Sequence, residues 1–311
     1  MDVSNARRVE TTGYLHPDYA RSLAEYGVPR ELPRCQGWIL ERAIPGTTYR
    51  DAMGPYPLFL CQDWSQLHAD LEDWGSDAIS LAVVTDPFGT YDLTYLRRCF
   101  GDVVIPYKQH FVVDLSQSPG AFVSRHHQRY ARKALREIRV ERCPDPVRAI
   151  DEWTELYAHL IERHNINGLA RFSRAIFEKQ LSVPGMVALR AVHAGTTVGM
   201  TLWYIHGDAG YYHLGAYSPA GYKLRASFAL FWSAIAHFAD TGLRWLNLGA
   251  GAGVKESKDD GLRRFKRGWA TGVLTAYFCG RVFDRDRYLE IVKLKEASTT
   301  DYFPAYRQGE F

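Results

Sequence analysis

The chain has 311 residues, with 38 basic and 35 acidic side chains and a formal net charge of +3. Hydrophobic residues make up 46% and aromatics 14%, enough for a sizeable core in one large domain or two, which argues against general disorder. The small net charge does not mark a nucleic-acid binder, and five widely spaced cysteines without a C-x-x-C pair argue against a disulfide framework or a structural zinc site.

Residues 1–10 lack the apolar core of a signal peptide. The longest apolar run, 228–239, is broken by Ser233 and His237 and falls short of the roughly 20 residues a membrane span needs. A cytoplasmic protein without membrane insertion is therefore expected. Residues 1–49 are rich in Pro, Gly and Arg and read as a partly ordered lead-in with one strand-like run at 37–44.

From residue 50 the pattern alternates. Residues 57–61 and 78–84 read as strands, 64–74 and 93–100 as helices, and 102–115 as one or two further strands with Pro106 at an edge or bend. A strongly basic helix is expected over 119–138, displaying Arg125, Arg129, Arg132, Lys133 and Arg136. Arg129 and Lys133 are one helical turn apart and face the same side. Two more helices follow, from 145 to about 163 and over 172–181.

Strands are then expected at 186–192, 197–205 and 210–217, joined by tight hairpins. A helix over 223–241 and a buried strand over 244–248 imply a parallel pairing through a crossover. A last strand or pair covers 273–282. The expected class is α/β, with mixed sheets flanked by helices. The expected division is a lead-in at 1–49, a reduced unit at 50–143 and a second unit at 144–311.

Three segments carry the candidate chemistry. The loop 218–227 leads into an apolar helix whose first amides need acceptors; Lys223, Arg225 and Ser227 add charge and a hydroxyl there, so a bound phosphate fits, as does a plain helix cap with solvated charges. After the glycine-rich run L-N-L-G-A-G-A-G at 246–253 comes D-G-L-R-R-F-K-R-G-W-A at 260–270. It gathers Arg263, Arg264, Lys266 and Arg267 around Phe265 and Trp269, which suits a bulky anion or a solvated face. The basic helix suits a polyanion or an ordinary linker. His213 and Asn247 sit on the strands flanking the apolar helix, as base and carbonyl donor or as satisfied core residues. Tyr217 is a candidate proton donor or a packing residue. His164 lies in a helix–helix loop, 163–168, and no metal motif appears.

The segment 260–270 resembles the Gly-Leu-x-x-Phe-Lys-Arg-Gly-aromatic signature of the FemAB-like branch of the GNAT acyltransferases. The element order resembles two tandem GNAT-like units, the first reduced. The resemblance implies an N-acyltransferase in which an acceptor amine attacks an activated carbonyl directly, with Lys266 at the family's functional lysine. It also implies a pyrophosphate or related group at the 218–227 junction, although no glycine pair follows Gly221 as the usual pattern requires. Acyl-coenzyme A is the preferred donor as co-substrate, with aminoacyl-tRNA the alternative. A peptide or glycan-precursor amine is the implied acceptor, and Arg125, Arg129, Lys133 and His164 fall on the acceptor or polyanion side. A non-catalytic module that binds an anionic glycan precursor or RNA is the competing class.

Overall fold

The computed structural model describes residues 11–75, 78–166, 171–252, 260–297 and 300–310. Eleven strands form one sheet: β1 Val28–Leu32, β2 Gly37–Ala43, β3 Arg50–Met53, β4 Ser80–Val84, β5 Val103–Asp114, β6 Arg139–Arg142, β7 Met186–His193, β8 Thr196–His206, β9 Ala209–Tyr217, β10 Trp245–Asn247 and β11 Gly272–Val282. The spatial order is β1-β2-β3-β4-β11-β5-β10-β9-β8-β7-β6. Only β3–β4 and β9–β10 pair in parallel; the other neighbours are antiparallel. The crossover expected between 210–217 and 244–248 is thus present.

The helices are α1 Pro17–Ser22, α2 Leu67–Trp74, α3 Leu93–Cys99, α4 Pro119–Phe122, α5 Arg125–Ala134, α6 Ile150–His164, α7 Arg174–Leu181, α8 Pro219–Leu224, α9 Ala226–Asp240, α10 Gly261–Arg267 and α11 Arg285–Leu294. One side of the β6–β10 region is covered by α1, α6 and α7 through Tyr19, Trp153, Tyr157 and Phe177. The opposite side is covered by α5 and α9, with Trp269 just beyond α10. Phe231 and Phe238 of α9 are buried against Trp203 of β8. Each such side chain contributes about 1.5–3 kcal/mol by leaving water. This explains why α9 is apolar almost all round: it packs against the sheet beneath and against α5 and α10 at its flanks.

Several sequence expectations are corrected. The strand-like run at 37–44 is β2, but the rest of 11–48 is more ordered than a partly ordered lead-in: it also holds α1 and β1, and Tyr14 and Tyr19 are core residues. Residues 1–10 lie outside the described residues. The run 57–61 forms only an isolated bridge, Phe59 to Thr85, because its backbone meets β4's continuation at one point. The basic helix breaks at Val123, where extended backbone lets Ser124 cap α5 by accepting the His127 N–H at 3.2 Å. The helix over 223–241 breaks at Arg225, whose φ of +59° is left-handed. Strand β6 has no counterpart in the sequence reading.

Pro106 sits beside a β-bulge in β5, where Lys108 faces Ala276 and Pro106 faces Tyr277. The positions 49/50 and 143/144 do not interrupt the sheet. Strand β11 lies between β4 and β5, and β5 pairs with β10. Among the described residues, no helix is long and apolar enough to cross a membrane.

Candidate active site

Strands β9 and β10 pair only from Ala209 with Trp245 to Tyr211 with Asn247. Beyond that point they part. Strand β9 continues beside β8 to Tyr217, while the chain after Asn247 turns at Gly249 (φ +76°) toward β5, where the Phe111 N–H donates to Gly249 O at 3.1 Å. At the parting point β9 bulges, because Tyr212 faces Trp203 and Leu214 faces Leu202, leaving His213 unopposed. A bulge increases local twist and so aids the separation of the strands.

Residues 247–250 form a polar corner at the apex of this opening. Asn247 is 2% exposed; its Oδ1 accepts the Gly249 N–H at 2.8 Å and lies 3.0 Å from His110 Nδ1. Its Nδ2 is sealed and has no partner among the described residues. Lys266, 5% exposed, donates to Ala250 O at 2.7 Å and lies 5.2 Å from the centre of the Tyr212 ring. Gly249 is needed here, since a Cβ would stand 3.0 Å from Lys266 Nζ and its φ is left-handed. Burial pushes the Lys266 ammonium down to about 7, partly opposed by Asp260. Burial also pushes His110 down to about 4, with Lys266 and Lys108 adding repulsion. The corner therefore holds the Asn247 Nδ2 donor and the Lys266 amino group, groups of the kind that stabilise an oxygen turning negative.

Around it, three basic segments distant in sequence come together. His127 of α5 joins its Nε2 to Phe265 O at 2.9 Å, and its ring packs on Phe228 and Trp269. A Cβ at Gly268 would lie 2.2 Å from the His127 ring, so that glycine permits the contact. Tyr130 of α5 takes two guanidinium groups: Arg225 at 4.4 Å and Arg129 at 5.1 Å from the ring centre. Neither arginine has a carboxylate partner among the described residues.

The structure thus brings Arg129 and Arg225 onto Tyr130, and Lys266 and Asn247 each to the 249–250 turn. Arg125, Lys133, Arg264, Arg267 and Lys223 are exposed on the surrounding elements, and Ser227 is half-buried in the first turn of α9. His164 is exposed at the end of α6, while the neighbouring Arg163 stacks 4.2 Å over Tyr222. Asn167 and Gly168 of the expected loop, and Gly253 of the glycine run, lie outside the described residues.

Of the two settings open to His213, base or satisfied core residue, it takes the second. Its Nδ1 is 3.0 Å from Tyr14 Oη and its Nε2 is 3.2 Å from Gln180 Oε1. It packs among aromatics on the α6 and α7 side, and burial holds it down to about 3. Tyr217 is buried beside Tyr212 on the α9 side, and burial keeps its phenol protonated.

His110, Lys108 and Tyr130 were not legible as site residues. A signal existed for the first two: polar residues at alternate positions of a buried strand place two polar groups on one inner face.

No curated protein matches the sequence. Residues 123–267 match the acetyltransferase (GNAT) domain family. Among solved structures, FemX aligns with 88% of this chain and 93% of its own at a TM-score of 0.68 and 15% identity. The C-terminal domain of a putative lysylphosphatidylglycerol synthetase from Agrobacterium fabrum aligns over 86% and 88%, with TM-score 0.61 and 15% identity. The L-PGS structure from Bacillus licheniformis aligns over 93% and 98%, with TM-score 0.55 and 13% identity. The fold is therefore the tandem GNAT-like arrangement.

Proposed function

We propose, from the premise that residues 123–267 are a GNAT acyltransferase domain within a FemX-like fold, that the protein transfers an aminoacyl group from aminoacyl-tRNA to an acceptor amine. The single observation that carries this reading is the meeting of α5, the α8–α9 junction and α10 beside the parting strands. Arg129 and Arg225 stack there on one tyrosine, and Lys266 is buried at the apex. Unpaired guanidinium groups recognise phosphate, and a stacked platform suits the end of a single-stranded nucleic acid. A peptide or glycan-precursor amine is the proposed acceptor, in keeping with the fold shared with FemX. Five buried free thiols suit a reducing compartment, the cytoplasm.

In this reading the donor ester lies where β9 and β10 part. The acceptor nitrogen attacks the carbonyl carbon, and the carbonyl oxygen takes up negative charge facing Asn247 and Lys266. The bond to the ribose oxygen then breaks, and the proton shed by nitrogen is balanced by the one that the ribose oxygen gains. Direct transfer requires no protein nucleophile; positioning and charge stabilisation supply the rate.

Acyl-coenzyme A is the second reading. It is favoured by Ser218, Lys223 and Arg225 at the strand–helix junction, the place where GNAT enzymes hold a pyrophosphate. Against it, Ser218 Oγ already accepts the Gly221 N–H at 3.1 Å, and the junction is a left-handed arginine instead of a glycine pair.

Calorimetric titration with bulk aminoacylated tRNA and with acetyl-coenzyme A separates the two. Binding of tRNA is expected, weakened by salt. In the Arg129→Gln/Arg225→Gln variant, the salt slope should fall by about 1–2. Acetyl-coenzyme A binding lost in Lys223→Ala, with no response to tRNA, would replace the first reading by the second.

A further inference from the structure

The Asn247 carboxamide has only one orientation. The Gly249 backbone N–H can only donate, so the side-chain atom 2.8 Å from it is the oxygen. His110 Nδ1 lies 3.0 Å from that same oxygen, so it must carry a hydrogen. His110 is therefore the Nδ1–H tautomer when neutral, and Oδ1 accepts from two directions at once. The other end of the carboxamide, Nδ2, is then fixed as a sealed donor without a partner among the described residues, a costly state for a buried polar group. It stands at the last paired position before β9 and β10 part, two residues before Gly249. The charged groups acting on His110 are Lys266 of α10 and Lys108 of its own strand; both are cations, and neither competes for the Nδ1–H.

We infer that His110 is a positioning residue: together with the Gly249 amide it locks Asn247 so that Nδ2 donates to the donor carbonyl oxygen as that oxygen becomes negative. This rests on the acyl-transfer reading above. His110 acts through Asn247, and its removal acts on the transfer step while binding is retained. An asparagine at position 110 places a side-chain N–H where Nδ1–H stands. An aspartate places an acceptor against an acceptor.

The test has two arms. Nitrogen-15 NMR of the imidazoles in the full-length protein reads the tautomer of His110; Nδ1–H is expected, and Nε2–H overturns the inference whatever the donor. The second arm measures transfer from bulk aminoacylated tRNA to hydroxylamine as a probe amine, beside tRNA binding. His110→Asp and Asn247→Asp should each lower the rate about 100-fold with binding unchanged, and His110→Asn should restore most of it. Asn247→Asp keeps both accepted hydrogen bonds and turns the donor into a charged acceptor, so it serves if a His110 variant fails to fold. Equal loss in His110→Asn and His110→Asp would overturn the inference and assign the imidazole itself a proton. Undiminished transfer in Asn247→Asp would also overturn it. If the parent protein transfers from neither aminoacyl-tRNA nor acetyl-coenzyme A, the acyl-transfer reading falls, and the role of Asn247 with it, while the tautomer arm still reports the geometry.

Discussion

Lys266 combines burial with a single acceptor among the described residues, Ala250 O, and the face of Tyr212. An ammonium in that setting is costly to the folded state, because protein groups replace only part of its hydration. Its affinity for a proton is lowered from the ordinary lysine value to about 7. Between about 7 and the unfolded value near 10.5 the unfolded chain binds the extra proton, so this group makes stability rise with pH across that window. Lys266→Met keeps the length of the side chain and removes the charge. Urea melts from pH 7 to 9.5 should show that rising limb in the parent and a flatter profile in the variant, with equal or higher stability at pH 7. Transfer should fall by about 100-fold or more. A variant with full turnover would remove Lys266 from the transfer step, whereas a parent protein that binds but does not turn over would favour the non-catalytic binding module.

At the scale of elements, the apolar helix and its strand partners were legible in the sequence, because periodicity reports burial directly. The three long strands β7, β8 and β9 and the crossover through α9 follow from that pattern. The helix breaks were not legible. Ser124 and Arg225 interrupt runs whose composition is helical throughout, and the interruption is set by tertiary contacts. For α8 the deciding contact is Gly221, where a Cβ would stand 1.9 Å from Val198 O. Gly221→Ala should therefore destabilise by about 2–4 kcal/mol in urea melts, since backbone must move to make room. The site was partly legible. Asn247, Lys266 and Arg225 stood out by residue type, whereas His110 and Tyr130 acquire meaning only through partners 137 and 95 positions away.

The whole molecule carries an acid-sensitive balance. His110 and His213 are held down to about 4 and about 3 by burial, so the unfolded chain binds their protons first and stability is lost as pH falls from about 6.5 toward 4. Asp86 works in the opposite sense. Burial raises it to about 6 although Tyr211 Oη donates to it at 2.9 Å, so its stabilising contribution is present at low pH and is lost as pH rises through 6. Asp86→Asn should be more stable than the parent at pH 7.5 and should show a steeper fall in melting temperature on acidification to pH 4.5. A parallel fall in both proteins would show that Asp86 does not titrate in this range.

Strand β11 has a consequence for how the protein is made. Its pairings with β4 and β5 close a gap between strands that leave the ribosome long before it does. Between the end of β5 at Asp114 and the start of β11 at Gly272, synthesis at about 5–20 residues per second takes on the order of ten to thirty seconds. Throughout that interval the edges of β4 and β5 that β11 will occupy stand unpaired, each a template for pairing with another chain. The early strands are thus the aggregation-exposed part of the newborn polypeptide, and the arrival of one late strand ends that exposure on both sides at once.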